Sequence, residues 1–473
     1  MAMSEIRGLF VTEDYLYAVK DAYVYKIDTS DTKTYLGALN TSTGPVTMAS
    51  NGLEVMIADG TDGYIVTIST DAFAEISDTD FPGAGAVTYQ DGYFLVNDPG
   101  TGDVYISGSY DGVSWDALDY GVAEAKPDDV LRPFSAYQEV WLFGVESTEV
   151  WYNSGNSDFP FERMAGGVIE HGLKAVHSVS KLDNGIAWLS DKNQVLHARG
   201  YNPIVISTPQ IEYQLAQYSD LADGIGFSYT QEGHEFYVLT FPTDDATWVY
   251  DASTGFWHER DSYKTPISSS TGRGRWRGQC YAYFNGKHLV GDYGSARIYE
   301  MDLDTYTDNY HAIERVRTAT TIHNERRNVF HARLEIEFEA GVGTTNPTAT
   351  TFAATTVYSA GDYAIYGTGY YISLLDTNTA NTPAATGTAY WEEVEADVWT
   401  GDDPQAILEY SNDGGHTWSN EKTTSIGSSA AYTTRAVFRR LGKARDRTYR
   451  LTTKAPVKTI IIGADLQAEA GNP

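Results

Sequence analysis

Apolar and polar positions alternate in short bursts along this chain, and the stretch from Arg132 to Gly172 shows the unit most clearly. Two apolar runs, Val140–Val145 and Glu149–Tyr152, flank a tight polar break at Glu146–Thr148. Both runs are rich in Val, Phe, Trp and Tyr, which suit a pleated, half-buried surface. The break is too short for a helix, so the pair predicts a hairpin. Asn153-Ser154-Gly155-Asn156 is turn chemistry, and Pro160 bars a helix there. The whole stretch predicts one antiparallel meander.

The same pattern recurs along the first two-thirds of the chain. It starts with Leu9-Phe10-Val11, Tyr15–Val19, Tyr23–Ile27 and Thr34–Leu39, with turns at Glu13-Asp14 and Asp28–Asp31. It restarts at Val46–Ala49, at Ala86–Tyr89, in the stretch just described, and near Ala175, where Asp183-Asn184-Gly185 is the turn. Two further units begin near Asp223 and at Cys280, the last turning at Asn285-Gly286. A period of roughly 40 residues with four strands per unit is the signature of propeller blades. Seven such blades fit residues 1–315. Stacking around a ring buries both faces of each blade, and closure removes the exposed edges. Trp and Tyr between blades therefore predict packing before ligand binding.

A second all-β region follows. His331–Glu339 alternates as a strand, and strands resume at Gln405–Tyr410, Thr433–Arg440, Thr448–Thr452 and Thr459–Ile462. This predicts a β-sandwich made of residues 316–340 and 403–473. Residues 341–402 interrupt it. Gly343–Thr356 has a Thr/Ala/Gly-rich linker composition, and the compact aromatic unit Tyr358–Val398 comes next.

Composition agrees with a turn-rich all-β protein: 13% of residues are aromatic, 35 of them Tyr, and 44 are Gly. No apolar run approaches the roughly 20 residues of a membrane span. The single Cys280 excludes an internal disulfide framework. Charge changes the picture more. With 64 acidic against 33 basic residues the net charge is −31. Such a surface repels nucleic-acid phosphates and argues against sequence-specific binding.

Candidate chemistry is sparse. Ser411-Asn412-Asp413-Gly414-Gly415-His416-Thr417-Trp418 is an aspartate box, and Ser109–Trp115 is a looser version. Asp caps its own turn, Gly supplies positive φ, and Trp packs beneath. The box resembles those of sialidase propellers, where it is a structural hairpin. Sialidase chemistry needs clustered arginines for a carboxylate and a Tyr with an acid partner. Arg7, Arg132, Arg163, Arg199 and Arg260 are scattered, and Arg273, Arg275 and Arg277 share one loop, so no triad suggests itself. His171 and His177 are a weak signal at six apart, and no catalytic or metal motif is present. Asp-rich turns (Asp28–Asp31, Asp98–Asp103, Asp302–Asp308) suit turn capping better than Ca²⁺. No catalytic, cofactor-binding or metal residue is expected. The one basic concentration contains Arg435, Arg439, Arg440, Arg445, Arg447 and Arg450. Strand alternation predicts Arg439 and Arg440 on opposite faces. In so acidic a protein this stretch is expected to dock an acidic partner or another copy of the chain.

Trp141-Leu142-Phe143-Gly144, Glu149–Gly155, Phe159–Arg163 and Ile169–Gly172 look like the packaged-DNA stabilisation proteins of P22-like short-tailed phages. Phe438–Arg447 and Lys454–Gly463 are similar to that family's last strands. The fold read above is thus a seven-bladed β-propeller followed by a β-sandwich, and the resemblance implies a non-enzymatic virion protein made in the host cytoplasm. It implies a tail hub or nozzle: a homo-hexamer below the portal and its adaptor that retains packaged DNA, conducts it at ejection, and supports fibres, a spike or a needle. Family members usually carry a segment before the first blade, whereas here the strand pattern begins almost at once. Within the interruption, Tyr358, Gly361-Asp362, Tyr366, Tyr371, Pro383 and Trp391 resemble small chitinase-type carbohydrate-binding modules. There Tyr358, Tyr366, Tyr371 and Trp391 would stack on sugar rings; structural decoration or partner docking are equal alternatives. The competing function is a carbohydrate-binding or sialidase-like propeller acting on host glycans.

Overall fold

The turns that punctuate the apolar runs decide where strands pair. Asp91-Gly92, Asp183-Asn184 and Asn285-Gly286 all adopt positive φ, at 48° and 97°, 41° and 54°, and 50° and 76°. That is the backbone of a two-residue hairpin whose twist matches its strands. The computed structural model describes residues 4–470 apart from 158, 264–271, 310, 326, 345–347, 360, 376, 384–389 and 395–400. It divides into two compact units, Met1–Ser262 with Gly274–Asp302, and Tyr263–Arg273 with Leu303–Pro473.

The first unit is a β-propeller. Its first sheet pairs Ile6–Val11, Leu16–Lys20, Tyr23–Ile27 and Lys33–Ala38 in chain order, all antiparallel. Further four-stranded meanders occupy 47–75, 87–122, 130–169, 180–205 and 225–259, and a three-stranded sheet occupies 278–300. Each sheet shares its apolar faces with the next. Tyr17 and Val24 of the first meet Val55 and Tyr64 of the second. Trp141 and Phe143 of the fourth meet Ile186 and Trp188 of the fifth. The last described sheet returns to the first: Ala282 and Phe284 pack with Leu16, Ala18 and Ile27. Ser4 bridges Ser295 in parallel, and Gln279 Nε2 donates to the Ile6 carbonyl at 2.9 Å. The first and last sheets are thus joined by both core and hydrogen bonds, which covers the apolar faces that separate sheets would expose.

One helix, Pro209–Leu215, interrupts this pattern between the fifth and sixth sheets. Thr208 caps it through its hydroxyl, and Pro209 at the start supplies a preset φ. Ile211 and Leu215 enter the core beside Leu239 and Phe241.

The second unit contains a β-sandwich and the inserted module. One sheet orders the strands Arg315–Thr318, Asp446–Thr453, Gln405–Ser411 and Lys422–Ser425, with Ile322–His323 also on Asp446–Thr453. The other places Val329–Phe338 between Ala436–Ala444 and Ile461–Ala470. Leu334, Ile336 and Phe438 of the second sheet face Ala406, Leu408 and Leu451 of the first across a common core.

The module has four strands: Ala349–Thr351, Tyr363–Tyr366, Gly369–Ser373 and Trp391–Val394. The first pair is parallel and the others are antiparallel. Its end at Val398 lies outside the described residues. Ala312, just before the sandwich, is buried against Ile372 and Val394, and Asn309 donates to Glu392 at 2.7 Å.

Candidate functional surfaces

In the propeller, the arginines flagged in the sequence do not converge on an exposed pocket. Arg7 is 2% exposed and donates to the carbonyls of Gly44, Asp21 and Thr41 at 2.5, 3.0 and 2.9 Å. Burial lowers its pKa, but the three carbonyls keep the guanidinium solvated by protein. Arg132 donates to the Val176 carbonyl at 2.8 Å. Arg163 pairs with Glu149, and Arg199 with Asp183. Arg260 lies over Trp276 at 4.8 Å. Of the arginines that share a loop, Arg275 is buried over Tyr293 at 3.7 Å and Arg277 pairs with the fully buried Asp292 at 3.2 Å. Arg273, in the second unit, pairs with Glu314 at 3.0 Å. All of them hold loops and sheets together.

The two histidines also act locally. The His171 carbonyl accepts from the Thr148 hydroxyl at 2.8 Å, and the His177 carbonyl accepts from Gly226 N at 2.8 Å. Among the described residues no group of three or more His, Cys, Asp or Glu is gathered for a metal ion. Asp28 Oδ1 instead caps its own turn, accepting from Ser30 N and Thr32 N at 2.8 and 2.9 Å.

Both Asp boxes are hairpin ends. Asp413 accepts from the hydroxyls of Ser411 and Thr417, at 2.6 Å each, and from Thr417 N at 2.9 Å. These donors, Ser411 first, hold its carboxyl well below the usual carboxylate range. In the looser box, Trp115 is buried and its indole donates to Gly112 O at 2.9 Å.

The basic stretch divides by environment. Arg447 is 2% exposed, and its guanidinium donates to Asn412 Oδ1 at 3.0 Å and to the carbonyls of Leu441 and Lys443. Tyr410 lies beneath it at 4.2 Å. It is a core residue of the sandwich, and its expected docking role is corrected accordingly. Arg450 pairs with Glu409 at 2.7 Å over the ring of Trp418, and Arg435 pairs with Glu335 at 2.9 Å. Arg439, Arg440 and Arg445 are exposed, and neither they nor Lys443 makes a side-chain hydrogen bond or ion pair among the described residues. The alternation expected of Arg439 and Arg440 fails because Arg440 sits at φ 56°. The strand register against Val329–Phe338 shifts there, and the extra residue turns both side chains outward.

The module's rings need a similar correction. Trp391 is 0%, Tyr358 3% and Tyr371 5% exposed, and they form one cluster with Phe352. Tyr358 meets Trp391 edge-on at 4.9 Å, and the Trp391 indole donates to Asn381 O at 2.6 Å. Rings enclosed in this way have no face left for a sugar. Of the four candidates, Tyr366 alone is exposed, at 45%.

The sequence reading missed the apolar character of the last strand. Ile460, Ile461 and Ile462 are consecutive, and 43%, 41% and 64% exposed. The Ile-Ile-Ile run was visible in the sequence as part of the strand read at Thr459–Ile462, but strand alternation does not tell which faces stay exposed.

The comparisons with known proteins follow this geometry. The description "Bacteriophage P22 Gp10, beta-propeller" matches residues 7–306, and "Bacteriophage P22 Gp10, beta-sandwich" matches 373–469. The second match therefore starts inside the module. No curated protein sequence matches. Among solved structures, BamB from Moraxella catarrhalis is similar at 9% identity and TM-score 0.37, over 60% of this chain and 79% of that one. The tricorn protease is similar at 11% identity and TM-score 0.31, over 56% and 27%. With the propeller and the sandwich both matched in order, this chain belongs to the bacteriophage P22 Gp10 family of packaged-DNA stabilisation proteins, which are phage structural components.

Proposed function

We propose that this protein is the nozzle of a short phage tail: a homo-hexameric tube below the portal adaptor that holds packaged DNA in the head and conducts it at ejection. The observation that supports this reading best is the ordered family match over both the propeller and the sandwich. The charge suits the role. Copies at −31 each make a strongly anionic assembly, so DNA meets like charge and does not adhere to the wall. Tail fibres, a spike or a needle dock on its outer or lower surface. The glycan-directed alternative has weaker support, because three of the four candidate stacking rings are core residues.

The test is DNA retention. Particles assembled without this protein are expected to package DNA and then lose it, with retention restored by adding the purified chain. Particles that keep their DNA without it would overturn the proposal.

A further inference from the structure

The three-stranded sheet of the sandwich has two chemically opposite rims. Its order is Ala436–Ala444, Val329–Phe338, Ile461–Ala470, so the outer strands pair on one side only. The first rim exposes Arg439, Arg440 and Lys443 on the strand and Arg445 just after it, all without an acidic partner among the described residues. The second rim exposes Asp465 and Glu469, likewise unpaired, beside Ile461 and Ile462. This last strand is 10 residues long, and only Leu466 of it reaches the core. Natural proteins blunt long exposed edges with charge, proline or a cover, because an open row of backbone groups invites a further strand. Consecutive exposed isoleucines do the opposite, and they mark a contact surface.

From this pairing of rims we infer that the last strand of one copy docks against the basic rim of the next copy, continuing the sheet head-to-tail. A second copy is the occupant that the charges favour. Two chains at −31 repel each other except where a local positive surface meets a negative one. The exposed, unpaired part of the basic stretch, Arg439, Arg440, Lys443 and Arg445, lies on the rim opposite the acidic one. Arg447 already occupies the carbonyls of Leu441 and Lys443, so backbone pairing is confined to the 436–440 half of the rim. Lys443 and Arg445 contribute charge beyond it. Because the two rims are different surfaces, the contact is heterologous, and repetition closes a ring where the rotation allows. This deepens the tubular reading above and rests on it.

The experiment is a charge exchange read by sedimentation velocity of the purified full chain at low salt. The wild type is expected to self-associate. D465K/E469K alone and R439E/K443E alone should each associate at least tenfold more weakly. Their mixture should recover association, since each supplies the rim that the other lacks. All four side chains are exposed and unpaired, so thermal melting should match the wild type. Should either double variant misfold, Ile462→Asp probes the same contact through its apolar part and is expected to weaken association. A monomeric wild type would overturn the inference. So would full association of R439E/K443E alone, which would indicate last strand meeting last strand. A ring on phage particles with its contacts elsewhere would sink this inference and leave the nozzle standing. Absence of the protein from particles would sink both.

Discussion

The propeller and the sandwich solve the same problem in opposite ways. Both are stacks of antiparallel strands whose outer strands carry unpaired backbone groups. In the propeller, each described sheet shares its core with the next, and the last returns to the first through Ser4, Ile6 and Gln279. What stays unpaired among the described residues is the short outermost strand of each sheet, such as the exposed Lys33–Ala38. In the sandwich, the sheet centred on Val329–Phe338 keeps two rims, one basic and one acidic with exposed isoleucines. The difference teaches where to look for assembly contacts: in the region that did not close on itself.

The largest effect should come from the shared propeller core. Trp188 is fully buried between the fourth and fifth sheets. Trp188→Ala should destabilise by about 3–5 kcal/mol, as chemical denaturation would show. A loss below about 1 kcal/mol would mean that the two sheets do not share a core. Within the module, Trp391→Ala should cost a similar amount, whereas Tyr366→Ala should stay within about 0.5 kcal/mol. Equal effects of the two would break the assignment of core and surface there.

Arg447→Ala removes the donor for Asn412 and two carbonyls, and should cost the sandwich about 3 kcal/mol. Lys carries no planar fork and should restore little of this. A further effect concerns pH. His331 is buried beside Tyr449, with 2.9 Å between the hydroxyl and Nδ1. Burial first, and Arg447 second, lower its pKa to about 4. The unfolded chain, near its ordinary value of about 6.5, then binds the proton more readily than the folded one. Stability is therefore complete above about 6.5 and falls as pH drops towards about 4. His331→Phe should flatten that part of the melting profile and leave the propeller transition unmoved.

Much of this fold was legible because turn chemistry and alternation are local. Asp91-Gly92 and Asn285-Gly286 announce their hairpins in two residues each. The helix at Pro209–Leu215 was missed although Thr208-Pro209 is a start signal, because seven residues inside a strand-rich repeat are too few for a helical period to stand out. The bulge at Arg440 was invisible because alternation assumes that no residue is inserted. Arg447 and the module's rings were misplaced for a related reason. A cation among aromatics, or a cluster of Tyr and Trp, has the same composition whether it faces inward or outward. Only the packed neighbours decide.

The account's central claim is that the chain serves as a ring-forming part of a phage tail. Electron microscopy of particles carrying this protein, with averaging about the tail axis, tests it most directly. The account predicts six copies in a closed ring below the portal vertex, with neighbouring sandwiches in contact. Particles in which the protein is absent, or present as isolated copies without rotational order, would contradict it.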